Sequence, residues 1–305
     1  MMENDLNFPE SAKEKIIRTH GVHGEIFLDN LFAKLSKYIC IWELYECKFF
    51  AHSLNLIYAG KSNKYGDVVI KASVPEDKRF FTEISALKFY GEKEHTCKLY
   101  DYSIKDGFVL LEKLTPGDTL SDTVLDPIKK ADIFIEIYKN YHLPCNHTDV
   151  YPTTVSIIDM FEKNLDKDEN FIKYKGIANA LYQEINSKYN KKCLLHGDLN
   201  FRNILLHGKI YKTIDPVGII GDPVFDISRY LLNELTYAIY GSREINKAVV
   251  LHISESLGLP TSLLYQLLLL DVIITTSYHL GNSIPKEKYE FHIKRCESAY
   301  KLCMV

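Results

Sequence analysis

At 305 residues, with 46% hydrophobic and 25% charged residues, the chain has the composition of an ordinary globular protein and is long enough for one large two-lobed domain. A formal net charge of −3 and the lack of a long basic run argue against nucleic-acid binding and leave room for a cationic small molecule. The seven cysteines are scattered, with no C-x-x-C pair and no zinc spacing, which reads as reduced thiols of a cytoplasmic protein. The opening MMENDLNFPE has no basic stretch followed by an apolar one, so no signal peptide is expected.

In chain order, the region to about Leu44 reads as helical, with segments Ser11–Thr19 and Phe27–Ile39. From about Lys48 to Leu114 strands and loops alternate around one helix. Asp67 to Ser73, DVVIKAS, is a β-branched run carrying Lys71. Its neighbours Val68, Val69 and Ile70 argue for a buried strand, where a lysine needs a partner. Lys78 to Tyr90 has Phe80, Ile84, Leu87 and Phe89 at roughly helical spacing and offers Glu83 as that partner, with Glu76 and Asp77 also near in sequence. Phe108 to Leu114 is an apolar strand that breaks at Thr115-Pro116-Gly117, so a hinge is expected between a lobe of residues 1–114 and one of residues 115–305. Beyond it, helices are predicted at Ala131–Tyr141, Val155–Leu165, Ile177–Tyr189, Val224–Tyr240, Ser242–Leu257, Pro260–Leu280 and Lys286–Leu302. The apolar run Leu263–Tyr278 is interrupted by Gln266 and Asp271 and falls short of the roughly twenty residues of a membrane span. It reads as a buried helix, and no membrane association is expected.

Only one hairpin interrupts this helical half. Leu194 to Pro216, LLHGDLNFRNILLHGKIYKTIDP, sets His196, Asp198, Asn203 and Asp215 around two short apolar strands joined at His207-Gly208-Lys209. A lone His-x-Asp or Asp-Pro says little, because both recur as ordinary turns. The four together on a hairpin form the polar kit of phosphoryl transfer, in which positioning and charge neutralisation do most of the work. Asp198 could accept a proton from a substrate hydroxyl. Asn203 and Asp215 offer one amide and one carboxylate oxygen, which suits Mg²⁺ held mainly by phosphates and water. His196 reads as a brace of the loop. Arg202 reads equally as a phosphate contact and as an exposed loop arginine. Such a site also needs a strand lysine for the nucleotide phosphates, the role of Lys71 with Glu83, and backbone groups near Glu112 to Leu114 for the adenine edge.

Lys71, Glu83, LLEKLTPGDTL, HGDLNFRNIL and IDPVGIIGDPVFDI together resemble the aminoglycoside phosphotransferase family, and within it the aminoglycoside/hydroxyurea antibiotic resistance kinases, known best as streptomycin 6-phosphotransferases. The long element from Asp215 to Asp226, DPVGIIGDPVFD, is the most specific part, and the likeness covers nearly the whole chain. It implies an α+β, two-lobed, protein-kinase-like fold, with a small antiparallel β lobe carrying helices and a larger, mostly helical lobe. It implies an ATP- or GTP-dependent transfer to a small-molecule hydroxyl, with streptomycin-like aminoglycosides as first acceptors. Asp198 would be the base, Asn203 and Asp215 the Mg²⁺ ligands, and Lys71 with Glu83 the phosphate anchor. Asp222 and Asp226 would brace the catalytic loop and a helix start. The chain departs from the pattern in its phosphate-covering loop, Phe49 to Leu56, which contains no glycine; there Ser53 and Asn55 are the available hydrogen-bond donors.

A polycationic acceptor needs carboxylates, and Asp159, Glu162, Asp166, Glu234, Asp271, Glu290 and Glu297 are the candidates. Glu234 and Asp271 stand out because both sit among apolar residues. A metabolic kinase of a sugar or amino alcohol is the second expectation, and a nucleotide-binding pseudokinase, suggested by the glycine-free loop, the third. A protein kinase is disfavoured, since no Asp-Phe-Gly or Ala-Pro-Glu segment is present. The protein is expected to act as a monomer or homodimer.

Overall fold

The computed structural model describes residues 6–166, 168–239, 243–281 and 286–304. The chain divides into two compact units, Met1–Gly117 and Asp118–Val305.

The first unit opens with α1 (Glu10–His20) and α2 (Val22–Ile41). They are separated by Gly21, whose φ of 56° suits glycine and whose N–H donates to the Ile17 carbonyl at 2.7 Å. Beyond it, Gly24 lets α2 lie against α1: a Cβ there would stand 2.8 Å from the Ile16 carbonyl oxygen. Five antiparallel strands follow: β1 (Leu44–His52), β2 (Leu56–Ser62), β3 (Gly66–Ala72), β4 (Leu99–Ser103) and β5 (Phe108–Glu112), with α3 (Lys78–Tyr90) between β3 and β4. Their order is β1-β2-β3-β5-β4, which puts β3 at the centre. Strand alternation sends Val68, Ile70 and Ala72 to one face, where they are fully buried with Leu31 and Leu35 of α2, Leu56 and Tyr58 of β2 and Phe108 and Leu110 of β5. Lys71 therefore points to the other face.

A short strand, β6 (Pro116–Thr119), runs across the unit boundary. The second unit then carries α4 (Pro127–Tyr141), β7 (Leu143–Pro144), α5 (Thr154–Leu165), α6 (Ile172–Lys188), β8 (Cys193–Leu195), β9 (Ile204–His207), β10 (Ile210–Thr213), β11 (Ile219–Gly221), α7 (Val224–Ile239), α8 (Arg243–Leu257), α9 (Thr261–Gly281) and α10 (Lys286–Cys303). The mixed α+β architecture is the expected one. Helix α4 starts a turn earlier than its apolar spacing suggests, because Asp126 caps the N–H groups of Ile128 and Lys129 and Pro127 fills the first turn. Helix α6 likewise begins five residues before the expected Ile177, at Ile172. A second small sheet, ordered β11-β8-β7, went unread in the sequence. Its strands are two or three residues long, too short for any period to show. Helix α9 is 21 residues long and apolar enough to cross a membrane by length and composition, longer than the apolar run suggested. In this unit it is a core helix, with Leu264, Leu267 and Leu269 at 0% exposure.

Candidate active site

The first unit supplies a buried ion pair. Lys71 on β3 lies opposite Ile57 of β2 and Val109 of β5, and its ammonium reaches both carboxylate oxygens of Glu83 on α3, at 2.7 and 2.6 Å. Lys71 is 3% exposed and Glu83 6%. Of the neighbouring acids, Asp77 caps α3 by accepting the Arg79 N–H at 2.9 Å, and Glu76 stands 3.9 Å from exposed His23. At the β1–β2 turn the Ser53 N–H donates to the Asn55 carbonyl at 3.0 Å, so a backbone bond closes the glycine-free loop. Ser53 is exposed and Asn55 half-buried. At the end of β5 the Glu112 N–H donates to the Lys98 carbonyl at 2.9 Å, and just beyond it the Lys113 N–H donates to that of Asp67 at 3.2 Å. The Glu112 side chain accepts the Lys98 N–H at 3.2 Å, and Leu114 is buried.

In the second unit the loop that carries Asp198 is built around Asp226, 1% exposed in the first turn of α7. One carboxylate oxygen accepts the His196 N–H at 2.8 Å and the other the Gly197 N–H at 2.8 Å. The first also meets His142 Nε2 at 2.9 Å, while His142 Nδ1 faces the Tyr138 carbonyl at 3.2 Å. These partners hold the Asp226 carboxyl below its usual range against the burial that pushes it up. His196 is fully buried. The Asp198 N–H donates to its Nδ1 at 3.3 Å, so Nε2 carries the proton and donates to the Ile214 carbonyl at 3.0 Å. Burial lowers its pKa and keeps the ring neutral. His196 thus ties the loop to the return strand, the bracing role expected of it. Gly197, at φ 78°, has no room for a side chain: a Cβ would lie 2.8 Å from Ile219 Cδ1.

Asn203 donates through Nδ2 to the Asp198 carbonyl at 2.9 Å and to one carboxylate oxygen of Asp198 at 3.1 Å, which leaves its amide oxygen pointing away from Asp198. Strands β9 and β10 pair from Ile204↔Thr213 to His207↔Ile210 around Gly208 at φ 61°. The Ile214 N–H donates to the Asn203 carbonyl at 3.0 Å, so the hairpin returns the chain beside Asn203 one residue before Asp215, which adopts φ 58°. Two hard oxygen donors at one end of a hairpin fit Mg²⁺ that takes its remaining ligands from phosphates. Among the described residues no cluster of three His, Cys, Asp or Glu could hold a metal by itself. Asp222 accepts the Val224 N–H at 3.1 Å at the start of α7 and the Lys191 N–H at 2.9 Å. The Arg202 side chain is exposed.

Sequence reasoning missed two residues. One is His142. The other is Arg229, whose Nε lies 3.9 Å from the second carboxylate oxygen of Asp198 and 3.4 Å from Asp271 Oδ1 on α9. Its partners Asp198 and Asp271 lie on other elements of the chain, so no local spacing signalled it. Among the candidate acceptor carboxylates, Asp166 is taken by Lys175 at 2.6 Å, Asp159, Glu290 and Glu297 are exposed, and Glu162 is half-buried with its Oε1 buried and without a hydrogen-bond partner. The Glu234 side chain lies outside the described residues. Asp271 is 4% exposed, and burial pushes its carboxyl up against the pull of Arg229 and Arg295.

No curated protein matches the chain in sequence. Its fold is similar to that of choline kinase LicA from Streptococcus pneumoniae, at TM-score 0.63 and 15% identity over 91% of this chain and 99% of that one. A choline/ethanolamine kinase family protein from Mesorhizobium loti gives 0.62 at 12% identity, over 92% and 95%. A thermostable mutant of aminoglycoside phosphotransferase APH(4)-Ia, solved with ADP and hygromycin B, gives 0.60 at 9% identity, over 88% and 97%. The family model described as aminoglycoside/hydroxyurea antibiotic resistance kinase matches residues 65–272, a span that includes β3, the loop carrying Asp198, and Asp271. The chain therefore belongs to the aminoglycoside/hydroxyurea antibiotic resistance kinase family and is a small-molecule phosphotransferase of protein-kinase-like fold.

Proposed function

We propose that the protein transfers the γ-phosphoryl group of ATP to a hydroxyl of a small molecule, with Asp198 as the base. The observation that supports this most is the fixing of one Asp198 carboxylate oxygen by Asn203, at 3.1 Å, while the side chain stays 38% exposed. A carboxylate held in one rotamer and open to solvent can receive the proton of an incoming hydroxyl. The Lys71–Glu83 pair presents an oriented ammonium to the nucleotide phosphates. Asn203 and Asp215 would hold Mg²⁺, which supplies charge neutralisation on the phosphates when bound. Nucleotide use is supported by the fold relatives solved with AMP and with ADP. Family membership makes a streptomycin-type aminoglycoside the first acceptor. The fold likeness to choline and ethanolamine kinases makes an amino alcohol the second.

The test is Mg²⁺-dependent phosphate transfer from ATP and GTP to streptomycin, ethanolamine and simple sugars, run beside Asp198→Asn. Transfer that is lost in the variant supports the reading. Transfer that persists in the variant removes Asp198 as base, and ATP binding without any turnover would return the pseudokinase.

A further inference from the structure

Arg229 stands between two carboxylates. Its Nε is 3.4 Å from Asp271 Oδ1 and 3.9 Å from Asp198 Oδ1, and the second distance is beyond hydrogen-bond range. Thr275, about one turn after Asp271 on α9, adds a second hold by accepting Arg229 Nη1 at 3.4 Å. Burial decides which carboxylate pulls harder. The Asp271 side chain is 6% exposed and that of Asp198 38%, so water screens the Asp198 charge more. Burial works against the Arg229 charge, which Asp271 supports first and Asp198 second. Asp271 Oδ2 is buried and meets no hydrogen-bond donor, so the Asp271 charge is answered by the guanidiniums of Arg229 and Arg295.

Resting on the phosphotransferase reading above, we propose that Asp271 is a positioning residue: with Thr275 it tethers Arg229 to α9, short of Asp198, and so keeps Asp198 Oδ1 open to the acceptor hydroxyl. Asn203 already binds Asp198 Oδ2, which leaves Oδ1 as the oxygen that can receive a proton. A guanidinium about 1 Å closer would bond Oδ1, and such a charge-assisted contact outcompetes a neutral hydroxyl. There is space for that move. A cavity of about 60 Å³ between α5, α7 and α9 is bordered by Gly197, Arg229 and Asp271. Asp226 and Arg229 then divide the work of α7: the first fixes the backbone of the loop that carries Asp198, and the second is restrained beside its side chain.

The experiment compares the wild type with Asp271→Asn, which keeps the side-chain shape and removes the charge, and with Asp271→Asn/Arg229→Gln. Crystal structures read the Arg229–Asp198 contact, and steady-state kinetics with streptomycin or ethanolamine read kcat and KM. In Asp271→Asn the contact should shorten from 3.9 Å to about 3 Å, and kcat should fall about tenfold with the KM for ATP and for acceptor within about twofold. Adding Arg229→Gln should recover most of that loss. A contact that stays at 3.9 Å overturns the proposal. So does a raised acceptor KM at unchanged kcat, which makes Asp271 a binding residue, and so does a kcat loss that Arg229→Gln leaves in place. If Asp271→Asn does not fold, Thr275→Val takes its place: a shortened contact with a lower kcat sustains the tether, and an unchanged contact overturns it. Absence of Asp198-dependent transfer in the wild type refutes the phosphotransferase reading instead, and the crystal contact then decides the tether by itself.

Discussion

Asp198 is held by three kinds of neighbour: the Asn203 amide on one oxygen, the Arg229 guanidinium facing the other, and the His196 ring on its own N–H. Asp198→Asn keeps this geometry and removes the basic oxygen. It should lower kcat by about 10²–10⁴-fold, with little change in the KM for ATP, by steady-state kinetics. Lys71 and Glu83 make a contrasting pair, buried and joined by charge-assisted contacts of 2.6 and 2.7 Å. Lys71→Ala removes the ammonium that contacts both oxygens of buried Glu83 and should destabilise the fold by about 3–5 kcal/mol in urea unfolding. Lys71→Met combined with Glu83→Leu should recover most of that loss while nucleotide affinity stays low. A double variant no more stable than Lys71→Ala would count against this account. Asp106 sets a pH dependence. The Tyr38 hydroxyl and Lys37 ammonium hold its carboxyl at about 2, below the usual value of 3.8. Because the folded value is the lower one, its contribution is present above pH 3.8 and disappears as the pH falls through about 2. Asp106→Asn should therefore be less stable than the wild type at neutral pH, and the gap should close across that acid window when unfolding is followed by circular dichroism.

At the scale of elements, caps and close approaches decide where the site residues end up. Asp126 accepts two N–H groups at 3.0 and 3.1 Å and starts α4, the helix whose far end delivers His142 to Asp226. Asp126→Ala should cost about 1 kcal/mol in thermal or urea unfolding and leave kcat nearly unchanged. At Gly107 the chain turns beside β3: φ is 80° and a Cβ would stand 2.0 Å from the Ser73 carbonyl oxygen. A side chain there has to push β3 and β5 apart, so the conformation is open to glycine alone. The β9–β10 hairpin was legible from its turn and its two apolar runs, because the period and the Gly208 position are local features. The β11-β8-β7 sheet was not, because its pairings join residues as far apart as Pro144, Cys193 and Gly221.

For the molecule as a whole, ligand linkage gives the broadest test. A nucleotide that binds only the folded protein should stabilise it by about 2.7 kcal/mol at one hundred times its Kd. With AMP-PNP this gain should require Mg²⁺ and shrink in Asp215→Asn, read as a shift in the unfolding midpoint. An equal gain in the variant would remove Asp215 from the metal site.

The sequence alone determined the helical content of the second unit, the strand that carries Lys71, the hairpin that carries Asn203 and Asp215, and the family. Each of these is written in local periodicity or in a contiguous motif, where neighbouring residues share one element. Tertiary structure decided which acid meets Lys71, what holds the catalytic loop and what lines the cavity beside it. Glu83, Glu76 and Asp77 were alternatives until β3 and α3 packed together. His142 and Asp271 lie 84 residues before and 45 after Asp226 in the chain, and no short-range pattern connects them to it. Burial sets their contacts, His142 meeting Asp226 and Asp271 meeting Arg229 across the core.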